Sequence, residues 1–136
     1  MPILIWLPSL NVNIDIIDKQ HQKLFELANV FYNELYKGAD QDLLIEKHQE
    51  LVDYTVFHFQ TEEDLMLQFN QPDKEIHAKE HAQFVKELNT LKSRILSGRL
   101  VISVEIINFL RNSIINHIFT SDKELAKYMN AQKEPR

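Results

Sequence analysis

The chain has 136 residues, of which 44% are hydrophobic and 26% charged, a size and composition typical of one soluble globular domain. Its 15 Lys and Arg against 20 Asp and Glu give a formal net charge of −5, and no run of basic residues indicates a nucleic-acid or anionic-membrane surface. There is no cysteine, so disulfides, thiolate metal sites and cysteine nucleophiles are excluded. Any metal must therefore be held by histidine and carboxylate.

Residues 1–16 are predicted to form an extended arm, packed on the rest of the chain through Trp6. The apolar run at its start is interrupted by Pro2 and Pro8, no basic residue precedes it, and no small-residue cleavage site follows. It is also shorter than the ~18 apolar residues that a membrane-spanning helix needs. We therefore expect a cytoplasmic protein without a membrane partner.

The rest of the chain is divided by Gly38, Pro72 and Gly98 into four pieces of similar length. Uninterrupted stretches of this length favour helices, and a glycine just past a helix end suits the left-handed position there. Apolar residues in each piece recur at steps of three and four, which is the buried face of an amphipathic helix. The sequence thus predicts an all-α fold, an antiparallel up-down-up-down four-helix bundle over about residues 17–129. We expect one domain over 1–136, with a loose C-terminal tail.

Histidines and a carboxylate occupy positions on these apolar faces where Leu or Ile would be expected. His58 with Glu62, and His77 with His81, are four residues apart, so each pair shares one helix face. If the helices are antiparallel with turns near 38–41, 70–73 and 98–99, histidines from all four helices meet at one level of the bundle. The five histidines on these faces are His21, His58, His77, His81 and His117, of which His77, like Glu62, lies one turn further along the bundle.

Such a layer is costly without a ligand, because an unpaired buried polar group costs about 1–3 kcal/mol. A metal removes this cost by taking the lone pairs, whereas a hydrogen-bonded polar layer is the structural alternative. Asp122 is a less regular candidate, since five residues after His117 is about 140° off on an ideal helix, and only a distorted turn brings it in. His48 lies in a different layer and is predicted to be structural or partly exposed, not a ligand.

Seven candidate ligands suit two ions better than one, and a histidine-rich, sulfur-free set favours iron over manganese or zinc. Two octahedral ions offer about twelve coordination positions. Five histidines, two bridging carboxylates and one oxo or hydroxo bridge fill all but one of them. The vacancy is where a small diatomic molecule would bind.

Four segments of the sequence resemble the signature of the hemerythrin family, in particular its single-domain bacterial branch, the bacteriohemerythrins. They are residues 17–21 (Ile-Asp-Lys-Gln-His), 58–66, 77–81 (His-Ala-Lys-Glu-His) and 117–122. The resemblance implies a non-haem di-iron centre with an oxo or hydroxo bridge that binds O2 reversibly and holds it as hydroperoxide. It further implies that His77, His81 and His117 bind one iron, that His21 and His58 bind the iron with the open position, and that Glu62 and Asp122 bridge the two.

Apolar residues beside these ligands are predicted to line the O2 pocket and keep water and acid out. For Phe59 and Ile118, ordinary core packing is an equal alternative. Ser113 departs from the resemblance, because the family often has tryptophan there, and a smaller polar residue would widen or wet an access route. The predicted lining consists of Leu24, Phe59, Ile114 and Ile118.

The leading hypothesis is an O2 carrier, store or supplier without catalytic residues, whose partners are O2 and an O2-consuming acceptor protein. One alternative is a di-iron redox enzyme: an oxidase, a peroxidase or an NO-reducing protein. Di-iron enzymes built on four-helix bundles mostly use carboxylate-rich sites with paired Glu-x-x-His motifs, and this nitrogen-rich set has none. The others are a sensor of O2 or iron that acts through a separate partner, and an iron buffer.

Overall fold

A computed structural model describes residues 4–98 and 104–133 of the chain. Residues 134–136 of the predicted loose tail and the part of the third predicted turn after Gly98 lie outside this range, and the last helix continues past the predicted bundle end near 129 to Lys133. Within it there are only helices, turns and an extended N-terminal segment. The helices are α1 (Asp15–Tyr36), α2 (Gln41–Gln68), α3 (Lys74–Leu96), α4 (Val104–His117) and α5 (Lys123–Lys133).

The helix α4 runs into α5 without leaving helical geometry, because the five residues Ile118–Asp122 between them form one turn of π-helix. Together, α4, the π-helical turn and α5 form the fourth helix of the bundle. The all-α four-helix bundle predicted from the sequence is confirmed. Helix α1 packs on α2 and α2 packs on α3. No helix among the described residues is both long and apolar enough to cross a membrane.

The helices end where left-handed residues reverse the chain. Gly38 and Gly98 have φ of 73° and 71°, as their positions after predicted helices indicated. The end of α2 falls at the predicted turn near 70–73, where Asn70, with φ of 52°, is the left-handed residue. The Asn70 N–H donates to the Leu67 carbonyl at 3.2 Å and the Gln71 N–H to the Met66 carbonyl at 2.9 Å, which is the hydrogen-bond pattern of a glycine-type helix end.

The N-terminal arm is tied to α1 at both of its ends. The side chain of Asn29 exchanges two hydrogen bonds with the Leu4 backbone, at 2.9 and 2.8 Å. Nearer the helix, the Asp18 carboxylate accepts from the backbone N–H of Val12 at 2.7 Å and of Asn13 at 3.1 Å. Between these ties the ring of Trp6 packs edge-on against Phe25, so the arm covers the outer side of α1 next to the predicted ligand layer.

His48 is a structural residue. Its side chain is 1% exposed, its Nε2 donates to the Leu88 carbonyl at 2.8 Å, and its ring contacts the edge of Phe31. The structural alternative given for it above is therefore correct, and partial exposure is not. Apolar side chains fill the rest of this layer of the bundle, among them Ala28, Phe31, Leu51, Leu88, Leu91 and Leu110.

Candidate metal centre

The structure brings six of the seven predicted ligands together in the middle of the bundle. Their donor atoms form two overlapping groups, and within each group all donor atoms lie within 4.8 Å of one another. Both groups contain Glu62 and Asp122, so the two carboxylates lie between two sets of histidines. The first group adds His21 and His58, and the second adds His81 and His117.

The shortest contacts in the site join an imidazole Nε2 to a carboxylate oxygen. His21 Nε2 lies 2.6 Å from Asp122 Oδ2, and His58 Nε2 lies 2.6 Å from Glu62 Oε1. On the other side, His117 Nε2 lies 2.9 Å from Asp122 Oδ1. The second histidine of that group, His81, has its Nε2 3.1 Å from His117 Nε2. Donor atoms from all four helices of the bundle thus face one another.

His77 is buried but does not bring a donor atom into either group. Its side chain is 4% exposed, and its ring centroid lies 6.4 Å from that of His81 and 6.5 Å from that of His117. Its Nδ1 lies 3.0 Å from the sulfur of Met66. The residue is therefore next to the second group, one helical turn away from His81 on α3.

The π-helical turn explains how Asp122 joins the site. An α-helix would leave Asp122 about 140° away from His117, whereas a π-helix, with its i to i+5 hydrogen bonds, brings residues five apart onto similar faces. Residues 118–122 make this turn immediately after His117. The distorted turn that Asp122 required is present, and such turns are frequent at functional sites.

Several buried polar atoms of the site lie close to one another without the geometry of a hydrogen bond, and they have no other partner among the described residues. They include His58 Nε2, both carboxylate oxygens of Glu62 and Asp122 Oδ1. Glu62 and Asp122 are fully buried. Since unsatisfied buried groups cost about 1–3 kcal/mol each, and these are nitrogen and oxygen donors within reach of one another, the residues fit a cation site.

The electrostatics of the site keep most of its imidazoles neutral, as metal binding requires. Burial lowers the pKa of His58 to about 4. Burial, together with the neighbouring His117, lowers the pKa of His81 to about 3. Burial also lowers the pKa of His77, against the opposing effect of Asp122. These side chains therefore offer lone pairs at neutral pH without first losing a proton.

The two carboxyl groups have opposite pKa shifts. Burial, followed by the charge of Asp122, raises the pKa of Glu62 well above its ordinary value. Burial also works against ionisation of Asp122, but His117 and the hydrogen bonds around it outweigh burial and lower the pKa of Asp122 well below its ordinary value. The same carboxylates raise the pKa of His117 although burial opposes this. A cation bound between these groups would displace protons from them.

The outward-facing nitrogens of the site histidines have their own partners, which the sequence reasoning missed. His58 Nδ1 lies 2.7 Å from Gln20 Oε1, and His81 Nδ1 lies 3.2 Å from Glu63 Oε2. The sequence pattern places Glu63 on the solvated face, and its side chain is indeed 36% exposed, yet its carboxylate contacts the site. Each partner directly neighbours a predicted ligand in the chain, Gln20 beside His21 and Glu63 beside Glu62, which is the signal that could have found them.

A small cavity of about 10 Å³ lies against the first group of donors. This is room for about one molecule the size of water. The four residues predicted to line the O2 pocket all surround this cavity, together with Phe84, which the prediction omitted although it lies on the apolar face of α3. The described lining is His21, Leu24, His58, Phe59, Phe84, Ile114, His117 and Ile118.

Ser113 lies outside the cavity and lines a pocket on the protein surface. The same pocket is lined by Phe84 and His117, which also line the inner cavity. These two side chains therefore form the partition between the surface and the interior at this point. Phe59 supports the partition from inside, because its ring lies edge-to-face against both side chains, with centroids 5.7 Å from Phe84 and 5.3 Å from His117.

Known proteins share this sequence and this fold. The sequence profile of the family described as "Hemerythrin HHE cation binding domain" matches residues 12–129. A bacteriohemerythrin of Stenotrophomonas maltophilia is 32% identical over 96% of this chain and 84% of its own length. A bacteriohemerythrin of Clostridium acetobutylicum is 30% identical over 88% of this chain and 96% of its own length.

Solved structures of hemerythrin have the same fold. Wild-type hemerythrin superposes with a TM-score of 0.83 at 24% identity, over 93% of this chain and 97% of its own. A variant of hemerythrin gives a TM-score of 0.84 at 25% identity, over 94% of this chain and 98% of its own. With the profile match over most of the sequence and the histidine and carboxylate cluster inside a four-helix bundle, these similarities show that the chain belongs to the hemerythrin family.

Proposed function

We propose that this chain binds O2 reversibly at two non-haem iron ions and serves as an O2 carrier, store or local supplier. The observation that carries the proposal is the pair of donor groups sharing two buried carboxylates. Each group is too small to satisfy an octahedral ion alone, but shared carboxylates let both groups hold one ion each. A cavity the size of a small molecule lies directly against one of the groups.

The proposed ligand set follows this grouping. His21 and His58 bind the ion beside the cavity, and His81 and His117 bind the other ion. Glu62 and Asp122 belong to both donor groups, so both ions would share them. His77 is assigned to the second ion by its place next to His81 on α3 and by the family resemblance.

Bound iron would supply the electrons and the open coordination position that O2 binding needs. The residues of the chain supply the surroundings. Leu24, Ile114 and Ile118 keep the cavity apolar, so water and acid are excluded from it. Gln20 and Glu63 accept hydrogen bonds from the outward nitrogens of His58 and His81, which holds the Nε2 lone pairs toward the metals.

Binding is favoured over an oxidase, peroxidase or NO-reducing activity by the lining of the cavity. Enzymes that break the O–O bond need a group that delivers protons to the reacting oxygen. Among the described residues around the cavity, the polar ones are three histidines that belong to the proposed ligand set, and the others are apolar. The cavity thus offers no separate acid.

An optical titration tests the proposal. The protein is loaded anaerobically with two equivalents of Fe(II), exposed to air and then purged with argon, through several cycles. We expect a visible absorption band that air induces and argon removes. His48→Gln is the matched control, because it alters a buried histidine outside the site, and it should retain the band, whereas His58→Ala should lose it.

Two results would contradict reversible binding. One is a protein that holds two irons and shows no band in air. The other is a band that decays with net consumption of peroxide, NO or a reductant, which would assign the chain to the redox enzymes. A band that is reversible only when a separate protein is present would instead support a sensor or a dedicated acceptor partner.

A further inference from the structure

Glu80 connects helix α3 to the π-helical turn that carries Asp122. Its Oε2 accepts a hydrogen bond from the hydroxyl of Ser121, the residue immediately before Asp122. The same oxygen lies 3.7 Å from His117 Nδ1. Ser121 is buried, with 5% exposure, while the Glu80 side chain is 46% exposed. One carboxylate at the edge of the bundle thus contacts both ends of the turn.

The π-helical turn needs such support, because its geometry is rarer than that of an α-helix and occurs mostly as single turns. Within the turn, the Thr120 hydroxyl donates to the Asn116 carbonyl at 2.7 Å, four residues back, a spacing that an α-helix also provides. If residues 118–122 relaxed to an α-helix, Asp122 would rotate about 140° away from the face of His117. The position of the Asp122 carboxylate therefore depends on an interaction from outside the turn.

We propose that Glu80 is a positioning residue, which holds the π-helical turn through Ser121 and so places Asp122 between the two histidine groups. The consequence for metal binding rests on the proposed function, while the structural claim concerns the protein without metal. The role is that of a hydrogen-bond acceptor. Its negative charge is not required, because Ser121 donates equally to an amide oxygen.

The metal-free protein tests the structural claim by hydrogen exchange of the peptides that cover residues 116–126. The variants are Glu80→Ala, Glu80→Gln and Ser121→Ala. Glu87→Ala is the matched control: Glu87 lies two turns further along α3, lines the same surface pocket and accepts from Gln83 at 2.8 Å, but contacts no proposed ligand.

We expect Glu80→Ala and Ser121→Ala to speed exchange in this segment about fivefold, as loss of one ordinary hydrogen bond implies. Glu80→Gln and Glu87→Ala should stay close to the wild type. Wild-type exchange in Glu80→Ala overturns the proposal. Equal acceleration in Glu80→Gln and Glu80→Ala also overturns it, because the cause would then be the loss of the negative charge of Glu80 beside His117 and not the loss of a hydrogen-bond acceptor. If Glu80→Ala does not fold, Ser121→Ala and Glu80→Gln decide the matter.

A second measurement follows the consequence for the metals. Iron-loaded variants are challenged with a chelator, and the release of each of the two ions is timed. Glu80→Ala should release iron at least tenfold faster than Glu87→Ala, because removing a residue that orients a metal ligand typically weakens metal binding about 10- to 100-fold. Faster exchange in Glu80→Ala, with no O2-induced band in the wild type, would support the positioning role and contradict the proposed function. A normal band in the wild type, with exchange and iron release unchanged in Glu80→Ala, would support the proposed function and contradict the positioning role.

Discussion

Four of the five site histidines have a separate neighbour at Nδ1, and three of them, His58, His81 and His117, turn Nε2 toward the carboxylates. An amide oxygen of Gln20, a carboxylate oxygen of Glu63 and the sulfur of Met66 lie within hydrogen-bond distance of His58, His81 and His77. The carboxylate of Glu80 is a charged neighbour of His117, 3.7 Å from its Nδ1. A partner on one ring nitrogen fixes the tautomer and the ring orientation. The side chains are therefore arranged to present Nε2 lone pairs before any metal binds.

Among the proposed ligands, His77 has the assignment most open to test, because its donor atom belongs to neither group. We expect His77→Ala to lower bound iron from two per chain toward one, since the second ion loses one of its nitrogen donors. Elemental analysis after anaerobic loading and gel filtration measures this directly. His48→Ala is the control for removing a buried histidine, and it should retain two irons per chain. Full iron content in His77→Ala would falsify its assignment as a ligand.

At the scale of the elements, the helices themselves were predictable from the period of apolar residues and from Gly38 and Gly98. The turn after α2 was predicted as well, near 70–73, but the left-handed φ of 52° at Asn70 was not, because the turn was assigned from Pro72. The π-helical turn was not predictable either. On a regular α-helix Asp122 faces away from His117. Only its carboxylate chemistry and the family resemblance indicated that it belongs to the site.

Asn70 gives a prediction about the turn between α2 and α3. A left-handed conformation costs an ordinary L-residue about 1–2 kcal/mol, whereas glycine adopts it freely. Asn70→Ala should therefore lower the free energy of unfolding by about 1 kcal/mol, and Asn70→Gly should stay within about 0.5 kcal/mol of the wild type. Urea denaturation of the metal-free variants measures both.

Asn89→Ala is the control for this substitution, because Asn89 is exposed in the middle of α3, where alanine is the better helix former. It should be as stable as the wild type or slightly more so. An Asn70→Ala variant that matches Asn70→Gly in stability would show that the backbone conformation of Asn70 carries no cost.

For the whole molecule, counting residues from the predicted turns placed histidines of four helices at one level, and the structure brings four of them together with Glu62 and Asp122. What the count could not supply is the rotation of each helix about its axis. His77 shares a face of α3 with His81 but lies one turn along the helix, and its donor atom is outside both groups. The rotation of α2 turns Glu63, on its solvated side, toward His81. Partners such as Glu63 are set by side-chain contacts between helices. The spacing of apolar residues in a single sequence does not reveal such contacts.

A site of this kind makes the metal-free molecule less stable than its fold allows. Both carboxylate oxygens of Glu62 lack a hydrogen-bond partner among the described residues, and burial raises the pKa of this group. Replacing such a residue with an apolar one of similar size removes a penalty of about 1–3 kcal/mol. We therefore expect Glu62→Leu to be more stable than the wild type when a chelator is present.

With Fe(II) added anaerobically the order should reverse. A ligand at 100 times its Kd stabilises the folded state by about 2.7 kcal/mol, and Glu62→Leu loses a carboxylate that both ions share, so it should gain little. Urea denaturation of both proteins, with chelator and with Fe(II), measures the four values. Glu46→Leu removes the same charge from an exposed position of α2 and should leave the order unchanged. If Glu62→Leu is the less stable protein with chelator present, the carboxylate stabilises the fold without metal, and the layer is a polar core, not a binding site.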